Sequence, residues 1–389
     1  MIDPVLTLLA DLVKLPSHPG VPRQESAVAH RLAEFLQQCG VDSRLIEVRE
    51  GRPNLLAVVD SGRPGPHLVL CGHTDTVPPN RDQPGVGLSG AVVGDVLSGR
   101  GAADMKGGLA AMAGALVSLH RGPGLRAGKV TLAAVIDEEM ESLGAEALIE
   151  EGLRADGAII GEPTENRVAL GHKGLEWLEI VFAGRAAHGG TPEAGVNAIN
   201  AAAHFIALVE EQLAPALQRK HHPLLGSPTI NCGTITGGDQ PSTVAAHCVL
   251  RVDRRSIPGE SFPVMSAELR VLLDEVEHRR PGVVSTLRRM PGGMATLEHL
   301  SAVIDSAHPL ARAARAACLN VTGAAQTDLA FPAWTDAGLL SNFASIPCVI
   351  LGPGDLSVAH TPRESVPLAQ VLDAVSIYRE AAQLFCSGG

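Results

Sequence analysis

Residues 68–78 read LVLCGHTDTVP. A short apolar run stops at Gly72, and His73 and Asp75 follow one residue apart, where a buried strand ends. Alone, a histidine at a strand end is an ordinary satisfied polar group. Its meaning depends on how the other strands end. Working outward, KVTLAAVID (129–137), ADGAIIG (155–161) and IPCVILG (346–352) are further short apolar runs of the buried-strand type. Between and around them, residues 25–40, 106–120 and 142–152 have helical periodicity. At the start, MIDPVLTLLADLVKLP lacks a basic leader and reads as a helix with Asp3 as N-cap and Pro4 at its first position. Strands alternating with helices predict a mostly parallel sheet with helices on both faces.

The pattern changes between about 175 and 292. GLEWLEIVFAG alternates as a half-exposed strand does, and a helix is expected at 195–213. PTINCGTI and AHCVLRVDRR read as strands, 264–278 as an amphipathic helix and GVVSTLRRM as a closing strand. The order β-α-β-β-α-β is a ferredoxin-like unit. The expected organisation is therefore one α/β domain formed by 1–174 and 293–389, interrupted by an α+β lid at 175–292.

Ligands of open α/β sheets bind beyond the carboxyl ends of the strands. His73 and Asp75 follow the first run, Asp104 precedes the 106–120 helix, and Glu138 and Glu139 follow the second strand. Glu162 follows the third, and His360 follows the last. Each has an ordinary reading alone: a helix cap for Asp104, a helix-dipole partner for the glutamates, a turn for Glu162, a loop for His360. Two adjacent glutamates directly after a buried strand repel each other unless a cation is near. Five connections presenting imidazole or carboxylate on one edge predict a binuclear metal centre. A shared carboxylate lowers the repulsion between two cations, and imidazole plus carboxylate suits each of them. In His-x-Asp, Asp75 is placed to accept the second N–H of the ligating His73.

The net charge is −11 and no Lys/Arg-rich block occurs, which disfavours nucleic acid and anionic membranes as partners. No apolar run reaches the ~18 residues of a membrane span. Seven scattered cysteines without a CxxC pair predict reduced thiols rather than a disulfide framework. A soluble cytoplasmic protein is expected.

Taken together, GHTDTVP, GRGAADMKGGLAAM, DEE, GEPT and AHTPRESV strongly resemble the zinc-dependent M20 metallopeptidase family, along essentially the whole chain and in order. The resemblance implies a phosphorylase/hydrolase-like catalytic domain carrying an inserted lid and dimerisation domain. It also implies two Zn2+, with Co2+ as a substitute: His73, Asp104 and Glu162 on one ion, His360, Asp104 and Glu139 on the other. Glu138 then matches the general base and Asp75 the residue that orients His73. His188, whose own reading is an exposed loop histidine, matches one that reaches a neighbouring active site from the partner's lid, so a homodimer is implied. Arg255 matches an arginine that grips the substrate α-carboxylate, although spacing alone leaves Arg254 and Arg255 open as surface charges. Asn231, Gly352 and Gly354 are assigned to the substrate pocket.

The expected reaction is hydrolysis of the amide of an N-acyl amino acid, as in acetylornithine deacetylase and succinyl-diaminopimelate desuccinylase. A glutamate at 162 favours that branch. The alternative is a dipeptidase or glutamate-carboxypeptidase-like exopeptidase acting on short peptides. A metal-binding scaffold with a dead site is the third reading, and a general base beside a complete ligand set argues against it.

Overall fold

The computed structural model describes residues 3–80, 87–293 and 296–387. They divide into two compact units, Met1–His172 with Ala302–Gly389, and Lys173–Ser301. The sequence pattern places these boundaries at 174/175 and 292/293. The later crossing falls at 301/302 because residues 297–299 are tied into the inserted unit. Arg289 donates to the Leu297 carbonyl at 2.8 Å, Glu298 accepts the Phe262 N–H at 2.7 Å, and the His299 carbonyl accepts the Leu175 N–H at 2.8 Å.

The larger unit begins with α1 (Pro4–Lys14), whose cap is Asp3: its carboxylate accepts the Val5 N–H at 2.8 Å. Pro4 costs nothing there, since the first helical N–H has no partner to lose. After α2 (Ser26–Gln38) comes a hairpin, β1 (Ser43–Arg49) and β2 (Arg52–Asp60), which the sequence reading missed. Next come β3 (His67–His73), β4 (Ala91–Val93), β5 (Val96–Ser98) and α3 (Gly107–Arg121). They are followed by β6 (Lys129–Val135), α4 (Leu143–Glu150), β7 (Gly157–Ile160) and β8 (Ala169–His172).

The inserted unit contains β9 (Gly174–Ala183), α5 (Ala198–Leu208), α6 (Ala214–Gln218), β10 (Thr229–Gly237), β11 (His247–Ser256), α7 (Phe262–Arg279) and β12 (Val284–Arg289). The first unit then resumes with β13 (Ala302–Val303), α8 (Pro309–Thr322), β14 (Leu329–Phe331), α9 (Ala337–Phe343), β15 (Cys348–Ile350), β16 (Ser365–Pro367) and α10 (Leu368–Cys386).

The main sheet has nine strands in the order β1-β2-β6-β3-β7-β15-β8-β13, with β14 beside β8. Its centre, β6-β3-β7-β15, is parallel. The β1–β2, β2–β6, β15–β8 and β13–β8 ladders are antiparallel. Successive side chains alternate faces. Val69 and Cys71 of β3 therefore share one apolar layer with Leu148 of α4 and Leu340 of α9, while α3 and α10 pack on the sheet with the intervening residues. All seven cysteines are free. Among the described residues no helix is long and apolar enough to cross a membrane.

In the inserted unit, four antiparallel strands run β10-β11-β9-β12. Leu178, Ile180 and Phe182 of β9 pack with Phe205 of α5 and Leu269 and Leu273 of α7. The helix expected at 195–213 begins at Asn197, whose side chain caps Ile199 and Asn200, and runs on to Gln218. Pro215 removes one i→i−4 donor, and the helix widens to i→i+5 bonds over Val209–Leu213 just before it. β9 itself is not half-exposed as its alternation suggested. It is an inner strand, and its acidic residues are covered by arginines from both neighbours. Glu176 pairs with Arg289 at 2.7 Å, and Glu179 with Arg251 at 3.2 Å and Arg288 at 2.5 Å.

Candidate metal centre

The parallel strands β6, β3, β7 and β15 are direct neighbours, so their carboxyl ends open side by side. His73 is the last residue of β3, Glu138 and Glu139 follow β6, Glu162 follows β7, and His360 follows β15. Asp104 lies in a tight turn over Ala102–Lys106 just before α3, next to a cis Asp104–Met105 peptide. Side chains more than 200 residues apart in sequence thus meet in one cluster.

Asp104 is its centre. Its Oδ1 lies 3.0 Å from His73 Nε2, and its Oδ2 lies 3.2 Å from His360 Nε2. Glu162 approaches His73 Nε2 to 3.6 Å, and Glu139 approaches His360 Nε2 to 3.1 Å. The histidines thus face the two oxygens of one carboxylate, each with a second carboxylate alongside. His73 turns its other nitrogen, Nδ1, to Asp75, 3.3 Å from Oδ1 and 3.1 Å from the carbonyl oxygen. Such a contact fixes the tautomer and leaves Nε2 free to ligate. Asp75 also accepts the N–H groups of Glu138 at 3.1 Å and Glu139 at 3.0 Å. It therefore joins the end of β3 to the loop after β6, a contact that the sequence reading did not contain.

The electrostatics are those of a surplus of negative charge. Burial raises the Glu162 carboxyl well above the usual carboxylate range, with the Asp104 charge adding to it. Glu138 is raised well above by the same burial plus Glu162 and Asp336. Glu139 is raised by burial and Asp104. For Asp104 burial acts upward but is outweighed by hydrogen bonds from His360 and His73, so its carboxyl stays well below the usual range. His360 is pushed up to about 10 by hydrogen bonds to Asp104 and Glu139. Burial would depress His73, but its contacts with Asp104 and Asp75 push it well above the usual imidazole value. Among the described residues no lysine or arginine forms an ion pair with Asp104, Glu138, Glu139 or Glu162. Clustered carboxylates with two inward imidazole nitrogens and no lysine or arginine partner suit divalent metal ions. The ligand atoms of His73, Glu138 and Glu162 lie within 4.8 Å of one another, as do those of His73, Asp104 and Glu139.

Two of the residues assigned to the substrate pocket have visible packing roles. A Cβ on Gly352 would lie 2.3 Å from the Gly161 carbonyl oxygen and 2.6 Å from that of Glu162, so only glycine lets the turn after β15 approach the segment that follows β7. Gly354 has φ +99° and donates its N–H to Gln370 Oε1 at 2.8 Å.

His188, Asn231, Arg254 and Arg255 belong to the inserted unit. His188 is exposed, and its Nδ1 accepts the Gly190 N–H at 3.0 Å. Asn231 is exposed on β10. Arg254 is fully buried, bonded to Glu260 at 2.9 Å and to the Arg255 carbonyl at 2.6 Å. Arg255 is half-buried and chelated by Asp253, at 2.8 and 3.0 Å. This decides which arginine is an internal strut: it is Arg254, and Arg255 keeps the more open guanidinium.

Three positions around the centre have no role assigned from the sequence, although Glu364 lies inside the AHTPRESV motif. Glu364 accepts the Asp104 N–H at 3.2 Å. Arg52 bridges Asp137, just before Glu138, to the buried Glu25, at 2.5 Å on each side. Asp336 is buried, and its carboxyl is pushed up to about 7 by burial and by the Asp75 charge.

Histidines and carboxylates converging beyond the carboxyl ends of a parallel sheet define a metal-dependent hydrolase site. The chain belongs to the peptidase family M20/M25/M40, whose model matches residues 69–384, and it is a metal-dependent amidohydrolase of that family. It is 29% identical to acetylornithine deacetylase of Vibrio campbellii, over 95% of this chain and 94% of that protein. In fold it resembles an M20 family metallo-carboxypeptidase from Sulfolobus solfataricus (TM-score 0.81, 18% identity, covering 99% of this chain and 100% of that one). It also resembles a dinuclear metal-binding M20 peptidase from Bacillus subtilis (TM-score 0.71, 16% identity, 98% and 99%).

Proposed function

We propose that the chain is a di-zinc deacylase that hydrolyses the amide of an N-acyl amino acid. The observation that carries this reading is Asp104, whose two oxygens face the inward nitrogens of His73 and His360, with Glu138 half-buried beside them. His73, Asp104 and Glu162 would hold one ion, and His360, Asp104 and Glu139 the other. When bound, the metal pair supplies Lewis acidity that acidifies water and polarises the scissile carbonyl; Co2+ would serve in place of Zn2+. The chain's own groups do the rest. Glu138 takes the proton of the attacking water and hands it to the leaving amine. Its raised carboxyl pKa suits this exchange. Asp75 holds the backbone of Glu138 and Glu139 and the tautomer of His73 in one register.

From the inserted unit, His188 donates to the developing oxyanion across a homodimer. Arg255 exchanges Asp253 for the substrate α-carboxylate, a bidentate partner of the same shape. Asn231, Gly352 and Gly354 border the acyl amino acid. The place of work is the cytoplasm. Support for the deacylase branch comes from Glu162 and from the likeness to acetylornithine deacetylases along nearly the whole chain.

The test is amine release by the zinc-loaded protein from N-acetyl-ornithine, other N-acetyl and N-succinyl amino acids, and free-amine dipeptides. Preference for one acyl amino acid is expected. Preference for free-amine dipeptides would replace the reading by an exopeptidase, and no turnover on any of them would refute it.

A further inference from the structure

Glu364 stands four residues beyond His360, directly before β16, and it is buried. β16 pairs antiparallel with β5, Ser365 opposite Ser98. That register lays Glu364 against the segment that leads into the Asp104 turn. Its carbonyl accepts the Gly99 N–H at 3.0 Å. Its Oε1 accepts three N–H groups, from Gly101 at 2.8 Å, Ala103 at 3.3 Å and Asp104 at 3.2 Å. Its Oε2 pairs with Arg100, whose other amino group donates to Asn80 at 2.8 Å. The loop that carries Asp104 is wrapped round a side chain supplied by the loop that carries His360.

We infer that Glu364 is a positioning residue that sets the orientation of the bridging carboxylate Asp104 against His360, and thereby the geometry of the metal pair. The inference rests on the di-metal reading above. Three hydrogen bonds to one carboxylate oxygen fix the backbone at 101–104, and with it where Oδ1 and Oδ2 of Asp104 point. Each forms only when the oxygen arrives within hydrogen-bond distance of its N–H group, so the device works through reach. Its charge has another task, to neutralise the buried Arg100. The two tasks can be separated by substitution. Glu364→Gln keeps an oxygen at the same reach and removes the charge. Glu364→Asp keeps the charge and withdraws the oxygens by one methylene. A residue that merely stabilises the fold would make metal affinity indifferent to reach, and Glu364→Gln, which leaves Arg100 buried without its partner, would be the damaging change.

The experiment titrates the metal-free full-length chain with Co2+ alone. It reads stoichiometry and affinity by equilibrium dialysis and ligand geometry from the visible absorption of the bound ions. Far-UV circular dichroism of each variant confirms that it is folded. The wild type should bind two ions. Glu364→Asp should bind the weaker of them at least tenfold less tightly and show a changed Co2+ spectrum. Glu364→Gln should stay within threefold of the wild type with its spectrum unchanged, even though its melting temperature falls. A folded Glu364→Asp that matches the wild type in both affinities and in the spectrum would overturn the inference alone. So would a Glu364→Gln that loses metal as Glu364→Asp does. A wild type that binds fewer than two ions would overturn the di-metal reading, and this inference with it.

Discussion

Glu138→Gln removes the proton-accepting oxygen and changes almost nothing else. Gln has the same shape, and the backbone of residue 138 stays anchored, because its N–H bond to Asp75 at 3.1 Å does not involve the Glu138 side chain. Neither His73 nor His360 leans on it: their carboxylate partners are Asp75, Asp104, Glu139 and Glu162. Metal content and KM should therefore hold. General acid–base catalysis contributes about 10²–10⁴ in rate. Glu138 is used twice in each turnover, once as base and once as acid, so kcat should fall by about 10³–10⁴, equivalent to roughly 4–5 kcal/mol of barrier. A base acts when deprotonated, so wild-type kcat/KM should rise with pH through its acidic limb, and the variant should lose that limb.

The assay is steady-state amine release on the best acyl amino acid, with zinc per chain measured by emission spectrometry. The structure holds a rival outcome, since ligand atoms of Glu138 also lie within 4.8 Å of those of His73 and Glu162. If Glu138→Gln loses zinc together with activity, Glu138 is a ligand and another group is the base. If it keeps zinc and retains more than a tenth of wild-type kcat, the assignment of the base is refuted.

Other substitutions test the supports. Asp75→Ala removes the acceptor for two N–H groups and for His73 Nδ1, so metal affinity should weaken about 10–100-fold by the same dialysis, with kcat falling in parallel. Arg52→Met leaves the buried carboxylates of Glu25 and Asp137 without their shared cation, and urea denaturation should show a loss of about 3–5 kcal/mol. Lys106 is fully buried, donates to the Leu15 carbonyl at 2.7 Å, and is depressed by that burial to about 7. Its folded pKa lies below its unfolded value of 10.5, so between those limits the unfolded chain binds more protons and the stability of the metal-free protein rises with pH. Lys106→Met should remove a slope approaching about 1.4 kcal/mol per pH unit, read by urea denaturation at pH 7.5 and 8.5; equal slopes in the two proteins would refute the assignment.

The parts of this molecule that were legible in its sequence share one property: their signal is local. An apolar run ending at Gly-His says strand end, Asp-Pro says helix start, and the His and carboxylate letters of five loops say which loops converge. β9 shows the limit of such a signal. Its sequence reads as a half-exposed alternating strand, but Glu176 and Glu179 stand three residues apart on opposite faces of an inner strand, and only the arrival of Arg251, Arg288 and Arg289 from neighbouring strands makes their burial tolerable. Strand order is not written in the strand. Likewise Arg254 and Arg255 are adjacent letters, and what separates them is that Glu260 and Glu268 come back to meet only the first.

Around the candidate metal centre, the contacts that aim the side chains are not local. Side chains that ligate metals are drawn from a short set, chiefly histidine, aspartate, glutamate and cysteine, so ligand chemistry restricts the alphabet and makes candidates visible. The groups that aim them act on backbone. Glu364 holds N–H groups of the Asp104 turn, and Asn54 accepts the Ile136 N–H at 3.0 Å and donates to the Gly144 carbonyl at 2.9 Å, on either side of the glutamate pair. Asp75 holds the N–H groups of that pair. Every residue except proline offers the same N–H, so the partner of such a contact leaves no trace in the sequence. Asp75 alone of this set stands out in the sequence, because it stands two residues from His73 and contacts its Nδ1. Arg52 and Asn54 lie in a hairpin without a motif, and Glu364 lies inside AHTPRESV, where only His360 carries a metal-ligand letter in the expected set. In a site built on loops, the chemistry is therefore readable from letters, while the precision of its placement resides in contacts between distant segments and becomes visible only when they meet.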